Sequence, residues 1–231
     1  TGLPRVVSIG NSLARGMRQA SDFLMALQLT GAGKQSSIAN LQVRLPAVVV
    51  GGGLTGVDTA TEVQAYYIKQ VEKTLWRYET LVAERGEDAV LAALGDEDRG
   101  ILAEFLEHGR AVRGERARAA AVGETPDFTP LLQAWGGVTI AYRKGLNDSP
   151  AYTRNHEEVA KATEEGIRYA EGLDPIHCEL DDHGHVRTLI CRRMENHGGR
   201  WLASREEVHL PARAVFVAAG TVPNTIYERE Y

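Results

Sequence analysis

The sequence predicts an α/β fold of three layers, a central parallel sheet, a helical layer and an antiparallel β-meander, interrupted by a long helical insertion. Three observations predict it. Short, largely apolar runs at 47–50, 138–142 and 214–218, the first of them wholly apolar, have the character of strands buried on both faces, as in a parallel sheet. Stretches of helical period lie between the first two. Segments between 176 and 210, broken by glycine-bearing turns, have the pattern of hairpin-linked strands.

Taken in order, Leu3 to Ile9 is extended, and Ala14 to Thr30 is expected to be helical, with Met17, Phe23, Leu24 and Leu27 favouring one face. Gly31 and Gly33 stop it. Gln35 to Pro46 is a polar connector, and Pro46 opens the next element. Ala47-Val48-Val49-Val50 is the first buried strand. After it, Val57, Ala60, Tyr67, Ile68, Val71, Leu75, Tyr78 and Val82 recur at helical period, predicting one helix from about 55 to 85. At about 1.5 Å per residue it would be near 45 Å long, more than a sheet needs, so the excess is expected to project outward. Residues 86–124 continue as helix, with Ile101, Phe105, Leu106 and Val112 buried and Arg110, Arg113, Arg116 and Arg118 facing water.

Thr129-Pro130 is expected to cap and start a short helix, Leu131 to Trp135, ended by Gly136-Gly137. Val138 to Tyr142 is the second buried strand. A helix over Thr153 to Glu165, a stop at Gly166 and a strand over Ile167 to Ala170 follow. The meander is expected over Ile176–Leu180, Val186–Met194 and Glu207–Leu210, and Ala214 to Ala218 is the last buried strand.

The glycines after the first buried strand carry chemistry. Strand, then Gly51-x-Gly53-x-x-Gly56, then helix is the dinucleotide fingerprint in its required setting, which makes the sheet Rossmann-like. Gly51 permits the tight turn, Gly53 lets backbone approach a pyrophosphate, and Gly56 lets helix and strand pack closely. The helix N-terminus offers free N–H groups and a positive dipole end to phosphate. The acidic residue usually found about 20 positions later, which holds the ribose hydroxyls, is absent, because that position lies within the long helix. The next strand arrives at Val138 and ends in Arg143-Lys144. Two cations there favour the 2′-phosphate of NADP(H) over NAD(H), with Arg143 suited to a bidentate contact; a solvated basic pair is the alternative.

Composition limits the other classes. With 43% hydrophobic residues the chain has enough to bury a core. A net charge of −5 argues against a nucleic-acid or anionic-membrane partner, since either needs a broad basic surface. Cys178 and Cys191 form neither a CxxC pair nor a cluster-ligand set, which suggests a reducing compartment. With no apolar run near 18 residues and no signal-peptide layout, a cytoplasmic location is expected. The opening at Thr1 suggests a piece of a longer chain.

The ordered set Val48 to Glu62 (VVVGGGLTGVDTATE), VTIAYRK at 138–144, Ser149-Pro150-Ala151, EEGIRY at 164–169 and VFVAAGTVPN at 215–224 resembles the glutamate synthase small subunit and related pyridine nucleotide-disulfide oxidoreductases. Leu3-Pro4-Arg5 and Ala20-Ser21-Asp22-Phe23-Leu24 resemble the flavin-domain segment preceding the nucleotide domain in that family. The resemblance implies two nested Rossmann-like domains, NAD(P)H in the inner one passing hydride to FAD in the outer one. Residues 1–46 would then belong to the FAD domain, 47–64 and 130–218 to the NAD(P)H domain, 65–129 to the insertion, and 219–231 to a return segment. By the same resemblance Gly51, Gly52, Gly53, Leu54, Thr55 and Gly56 hold the pyrophosphate. Asp58, on the first helical turn, lies near the nicotinamide, or is simply an acid favoured by the helix dipole. Arg143 and Lys144 meet the 2′-phosphate, and Gly220, Thr221, Pro223 and Asn224 form the turn back to the flavin domain, with Gly220 leaving room for cofactor. The chain lacks a second GxGxxG, iron–sulfur cysteines and a redox dithiol, so FAD is expected to be held mainly outside it.

Other features carry less. Asp181, Asp182, His183 and His185 belong to a hairpin turn more than to a metal site. The insertion is either a self-packed helical unit or a docking element for a partner subunit or the FAD domain, and its length, about 65 residues, favours the second. The rival to an oxidoreductase domain is a non-catalytic nucleotide-sensing or assembly module on the same fold.

Overall fold

The three apolar runs become adjacent strands because their alternate side chains fill two different cores. The computed structural model describes residues 2–223. In chain order its elements are β1 (Gly2–Pro4), β2 (Met17–Gln19), α1 (Ala20–Thr30), β3 (Ala47–Val50), α2 (Leu54–Arg85), α3 (Glu87–Ala92), α4 (Asp96–Val122), α5 (Thr129–Ala134) and β4 (Val138–Tyr142). A 3-10 turn (Leu146–Asp148), α6 (Pro150–Glu164), β5 (Arg168–Glu171), β6 (Leu173–Leu180), β7 (Val186–His197), β8 (Arg200–Pro211), β9 (Ala214–Val217) and β10 (Thr221–Pro223) complete them.

The central sheet is parallel throughout, in the order β2-β9-β3-β4-β5. Its two faces follow from the strand period of two. Ala47 and Val49 of β3, Ala214 and Phe216 of β9, and Val138 and Ile140 of β4 point into the core shared with α1, α2 and α6. Val48, Val50, Val215, Val217 and Ala141 point into a second core beneath the meander β6-β7-β8. Val49, Ile140, Val215 and Phe216 are fully buried, and each such side chain contributes about 1.5–3 kcal/mol relative to exposure. From β3 the chain builds β4 and β5 on one side, while β9 lies on the other. The strand order therefore reverses between β3 and β9, and in open α/β sheets the crevice at the carboxyl ends of such strands is the ligand position.

Several expectations need correction. The helix expected from Ala14 begins at Ala20, because Met17 to Gln19 pair with Val215 to Val217 as an edge strand. Gly16, at φ +98°, makes the entry, and a Cβ there would lie 2.7 Å from the Arg213 carbonyl oxygen. Ala20, Phe23 and Leu27 share the core of β3, and the Phe23 ring lies 4.8 Å from Phe216. The helix expected from Thr153 starts at Pro150, with the Ser149 hydroxyl accepting from the Tyr152 N–H. Thr129 is itself helical, and the Asp127 carboxylate accepts its N–H. The last meander strand begins at Arg200, not Glu207.

The far half of α2 does not project free. Tyr66, Tyr67, Gln70, Val71, Lys73 and Leu75 are all buried, covered by α4 and by the 31–46 connector. Gln70 both accepts from the Val43 N–H and donates to its carbonyl, each at 2.8 Å. Lys73 Nζ donates to the carbonyls of Ala32 at 2.5 Å and Ala39 at 2.7 Å. The helices α2 and α4 cross at Gly109, where a Cβ would lie 2.7 Å from the Val71 carbonyl oxygen. The stripe Ile101, Phe105, Leu106 and Val112 is buried as expected. Glu104 then binds both Arg213 and Arg44, and Glu97 receives Arg15 at 2.8 Å and His185 at 2.5 Å. The insertion thus ties the connector, the β8–β9 link and the meander hairpin together.

Candidate dinucleotide site

The residues 51–56 leave β3 at the switch point and enter α2. Ala218 N–H donates to Val50 and Gly51 N–H to Ala141, so both neighbouring strands pin the turn. Each glycine meets a different constraint. Gly51 has φ +137°, and a Cβ there would sit 2.3 Å from the Ala218 carbonyl oxygen. At Gly56 it would sit 2.4 Å from the Gly51 carbonyl oxygen, which sets how closely α2 approaches the strand. At Gly52 it would strike the Tyr142 ring at 2.7 Å. At Gly53, the residue preceding α2, it would meet nothing within 4 Å. The N–H groups of Gly52, Gly53, Leu54 and Thr55 find no acceptor among the described residues, as the first turn of a helix leaves them. The loop is tight on its protein side and open with free donors on the other.

Arg143 and Lys144 follow β4 directly, one strand over from the glycines. Arg143 is exposed and Lys144 half-buried. Unlike Arg192 and Arg193, which pair with Glu207 and Glu206, neither is ion-paired among the described residues. Thr55 is exposed. Asp58 lies on the second turn of α2, not the first, because the helix begins at Leu54. It is exposed, and partial desolvation together with Glu158 of α6 raises its carboxyl above the ordinary range. The helix α6 closes the same side, with the Ala151 N–H donating to the Gly52 carbonyl at 3.0 Å.

Gly220, at φ +88°, has open space where a Cβ would go, and its carbonyl accepts from the Arg5 N–H. Thr221 and Pro223 belong to β10, which pairs antiparallel with β1 and so brings the two ends of the described chain side by side. Asn224 lies outside the described residues. The glycine loop, Asp58 and Arg143-Lys144 are brought to one end of the sheet.

Sequence reading missed the surroundings of Arg143. The loop after it is braced by Glu171, whose carboxylate accepts from the Leu146 N–H, and by Trp201, whose indole N–H donates to Asp148 at 2.8 Å. Both cysteines are buried, and desolvation pushes Cys178 up to about 11 and Cys191 up to about 12. His185 meets Glu97, and among the described residues no cluster of three or more metal-ligating side chains occurs. Among those residues no helix is long and apolar enough to cross a membrane.

No family model matches the chain. Among curated proteins it is 36% identical over 188 residues to an uncharacterized protein of Rickettsia prowazekii, a match covering 81% of this chain and 24% of that protein. The chain therefore spans about a quarter of the length of the curated relative it matches. Among solved structures it is similar to FprA of Mycobacterium tuberculosis in complex with NADPH, at 16% identity and a TM-score of 0.43, over 96% of this chain and 49% of that one. A ferredoxin reductase from Rhodopseudomonas palustris aligns at 10% identity with a TM-score of 0.46, over 99% of this chain and 35% of that one. An FAD-dependent pyridine nucleotide-disulphide oxidoreductase from Desulfovibrio vulgaris aligns at 14% and 0.41, over 99% and 36%. At these identities and TM-scores the fold assignment rests on the strand order and register themselves.

Proposed function

We propose that the chain is the NADPH-binding domain of an FAD-dependent oxidoreductase of the glutamate synthase small-subunit type. The observation that carries this reading is the asymmetry of the glycine loop: Gly51 and Gly56 have no room for a Cβ, whereas Gly53 opens onto free space beside four N–H donors that find no acceptor among the described residues. That is a cradle shaped for a pyrophosphate, at the strand-order reversal where such ligands bind. Gly51 to Gly56 would hold the phosphates, and Arg143 and Lys144, without carboxylate partners among the described residues, would meet the 2′-phosphate. Asp58 would border the nicotinamide end. Bound NADPH supplies a hydride, for which FAD held outside this chain is the acceptor. The chain's own work is to bind and aim. The pairing of β1 with β10, which sets residues 2–4 beside residues 221–223, supports a domain nested within another, with Gly220, Thr221 and Pro223 leading toward a return path on which Asn224 would follow.

The test is titration of the 231-residue chain with NADPH and NADH by calorimetry. NADPH is expected to bind more tightly. Arg143→Ala removes a charge-assisted bidentate contact of about 1.5–3 kcal/mol, so NADPH should weaken roughly 10- to 150-fold and NADH far less. Equal losses would end the 2′-phosphate role. No binding of either nucleotide would end the reading altogether, and NADPH binding without flavin reduction by the intact protein would favour a nucleotide-sensing module.

A further inference from the structure

Between the end of β4 and the start of α6, residues 143–149 form a loop held on several sides. The Gly172 N–H donates to the Lys144 carbonyl at 3.1 Å, Glu171 accepts from the Leu146 N–H, and the Trp201 indole N–H donates to Asp148 at 2.8 Å. The six-membered ring of Trp201 lies over Gly145 and Gly172, where added Cβ atoms would sit 3.4 and 3.3 Å from it. Trp201 comes from the first residues of β8, so the meander reaches across to the loop that follows the sheet.

The charges in this loop are unbalanced in a telling way. Burial raises the Tyr142 phenol above its ordinary range, with Arg143 lowering it and Asp148 raising it, so both charges belong to its surroundings. They form no ion pair with each other, and the Asp148 carboxylate accepts from the Trp201 indole N–H. A free carboxylate beside an exposed guanidinium would compete with any incoming phosphate for the same planar donor face. We propose that Trp201 is a positioning residue for dinucleotide choice: by holding Asp148 away from Arg143 it keeps the guanidinium open for the 2′-phosphate. This rests on the reading of Arg143 as the 2′-phosphate ligand. The acidic residue of the loop, which in a NADH site would turn to a ribose hydroxyl, is thereby withdrawn from the nucleotide as well.

The experiment compares NADPH and NADH affinities of the 231-residue chain by calorimetry. Trp201→Phe keeps a ring over the two glycines and removes the N–H. Asp148 then competes for Arg143 as an exposed ion pair does, so NADPH weakens about 2- to 5-fold while NADH is unchanged. Adding Asp148→Asn to Trp201→Phe restores NADPH affinity. Asp148→Ala alone cuts the same hydrogen bond from its other end and leaves NADPH binding intact, because the competitor is gone. If Asp148→Ala weakened NADPH as much as Trp201→Phe does, the bond would only stiffen the loop, and the proposal would fail. An unchanged NADPH to NADH ratio in Trp201→Phe would also overturn it. If Arg143→Ala weakened NADPH no more than NADH, the reading of Arg143 would fall and this inference with it; an NADPH-selective loss in Arg143→Ala beside a silent Trp201→Phe would remove the inference alone.

Discussion

Gly53 and Gly56 differ by three positions and by opposite surroundings, and adding a methyl group to each should separate binding from folding. On Gly56 the new Cβ would sit 2.4 Å from the Gly51 carbonyl oxygen, against 3.4 Å or more for ordinary contact, so α2 and the turn must part by about 1 Å. Overpacking of that kind costs about 1–3 kcal/mol. For a chain of this size each kcal/mol moves the melting temperature by roughly 2–4 °C, so Gly56→Ala should lower it by about 2–12 °C. On Gly53 the methyl meets no protein atom within 4 Å, and the backbone, at φ −89° and ψ 171°, is extended and open to any residue. Alanine at the N-cap is worse than glycine by at most about 1 kcal/mol, so melting should move by no more than about 4 °C. The same methyl fills the space through which a pyrophosphate reaches the free N–H groups. A clash of about 1–3 kcal/mol there weakens NADPH roughly 5- to 150-fold. Scanning calorimetry and isothermal titration on both variants read the two effects. A Gly53→Ala chain that binds NADPH as tightly as the parent would refute the cradle, and one that melts as low as Gly56→Ala would refute the steric map.

Three further outcomes follow from the packing. Gln70→Leu strips the Val43 N–H and carbonyl of their buried partner, each left unsatisfied at about 1–3 kcal/mol, and should show in urea melts and in faster proteolysis of the 31–46 connector. Cys178 and Cys191, buried and held near 11 and 12, should resist iodoacetamide at pH 8 in the folded chain and both react after denaturation; labelling of either in the folded state, read by mass spectrometry, contradicts the burial. The Glu115 carboxylate, gripped by Arg118 and the Asp127 N–H, is lowered to about 2, so its contribution to the α4 C-terminus is present above the ordinary carboxylate range and lost as pH falls through about 2. A carboxyl titration by NMR with its midpoint near 4 would mean that grip is absent in solution.

The strands β3, β4 and β9 were legible because a strand buried on both faces has a nearly unbroken apolar sequence, interrupted here only in β4, by Thr139 and the terminal Tyr142, and few other elements share it. The long α2 was legible from its period, to within a residue at either end. Its surroundings were not. What covers its far half is Lys73 reaching the Ala32 carbonyl across 41 residues and Gln70 bonded to Val43 across 27. Such side-chain-to-backbone contacts follow no period, and the sequence shows only two polar residues on a helix. The same holds for β2, whose three residues are extended because β9 offers them partners, while their own pattern fits a helix.

At the site the division has a sharper cause. The glycines and Arg143-Lys144 are marked by residue type at a fixed offset from a strand end, and an offset survives even the long insertion between them. Trp201 is marked by nothing comparable. It stands 53 residues from Asp148, on the exposed early part of β8, where Leu202, Ala203, Arg205, Glu206 and Glu207 are all open to water and alternation is lost. A strand expected to begin at Glu207 leaves Trp201 in a loop with no reason to face the nucleotide. Only the register of β7 on β8, which sets Trp201 opposite Asn196, carries the indole to the loop after β4. The residues proposed to touch a nucleotide are thus readable from local chemistry, whereas a residue proposed to choose between nucleotides by restraining a neighbour depends on strand pairing far along the chain. If Trp201 acts as inferred, replacing the β7–β8 turn at His197–Arg200 with a longer loop should shift the register, release Asp148 and lower the NADPH to NADH ratio without touching the glycine loop.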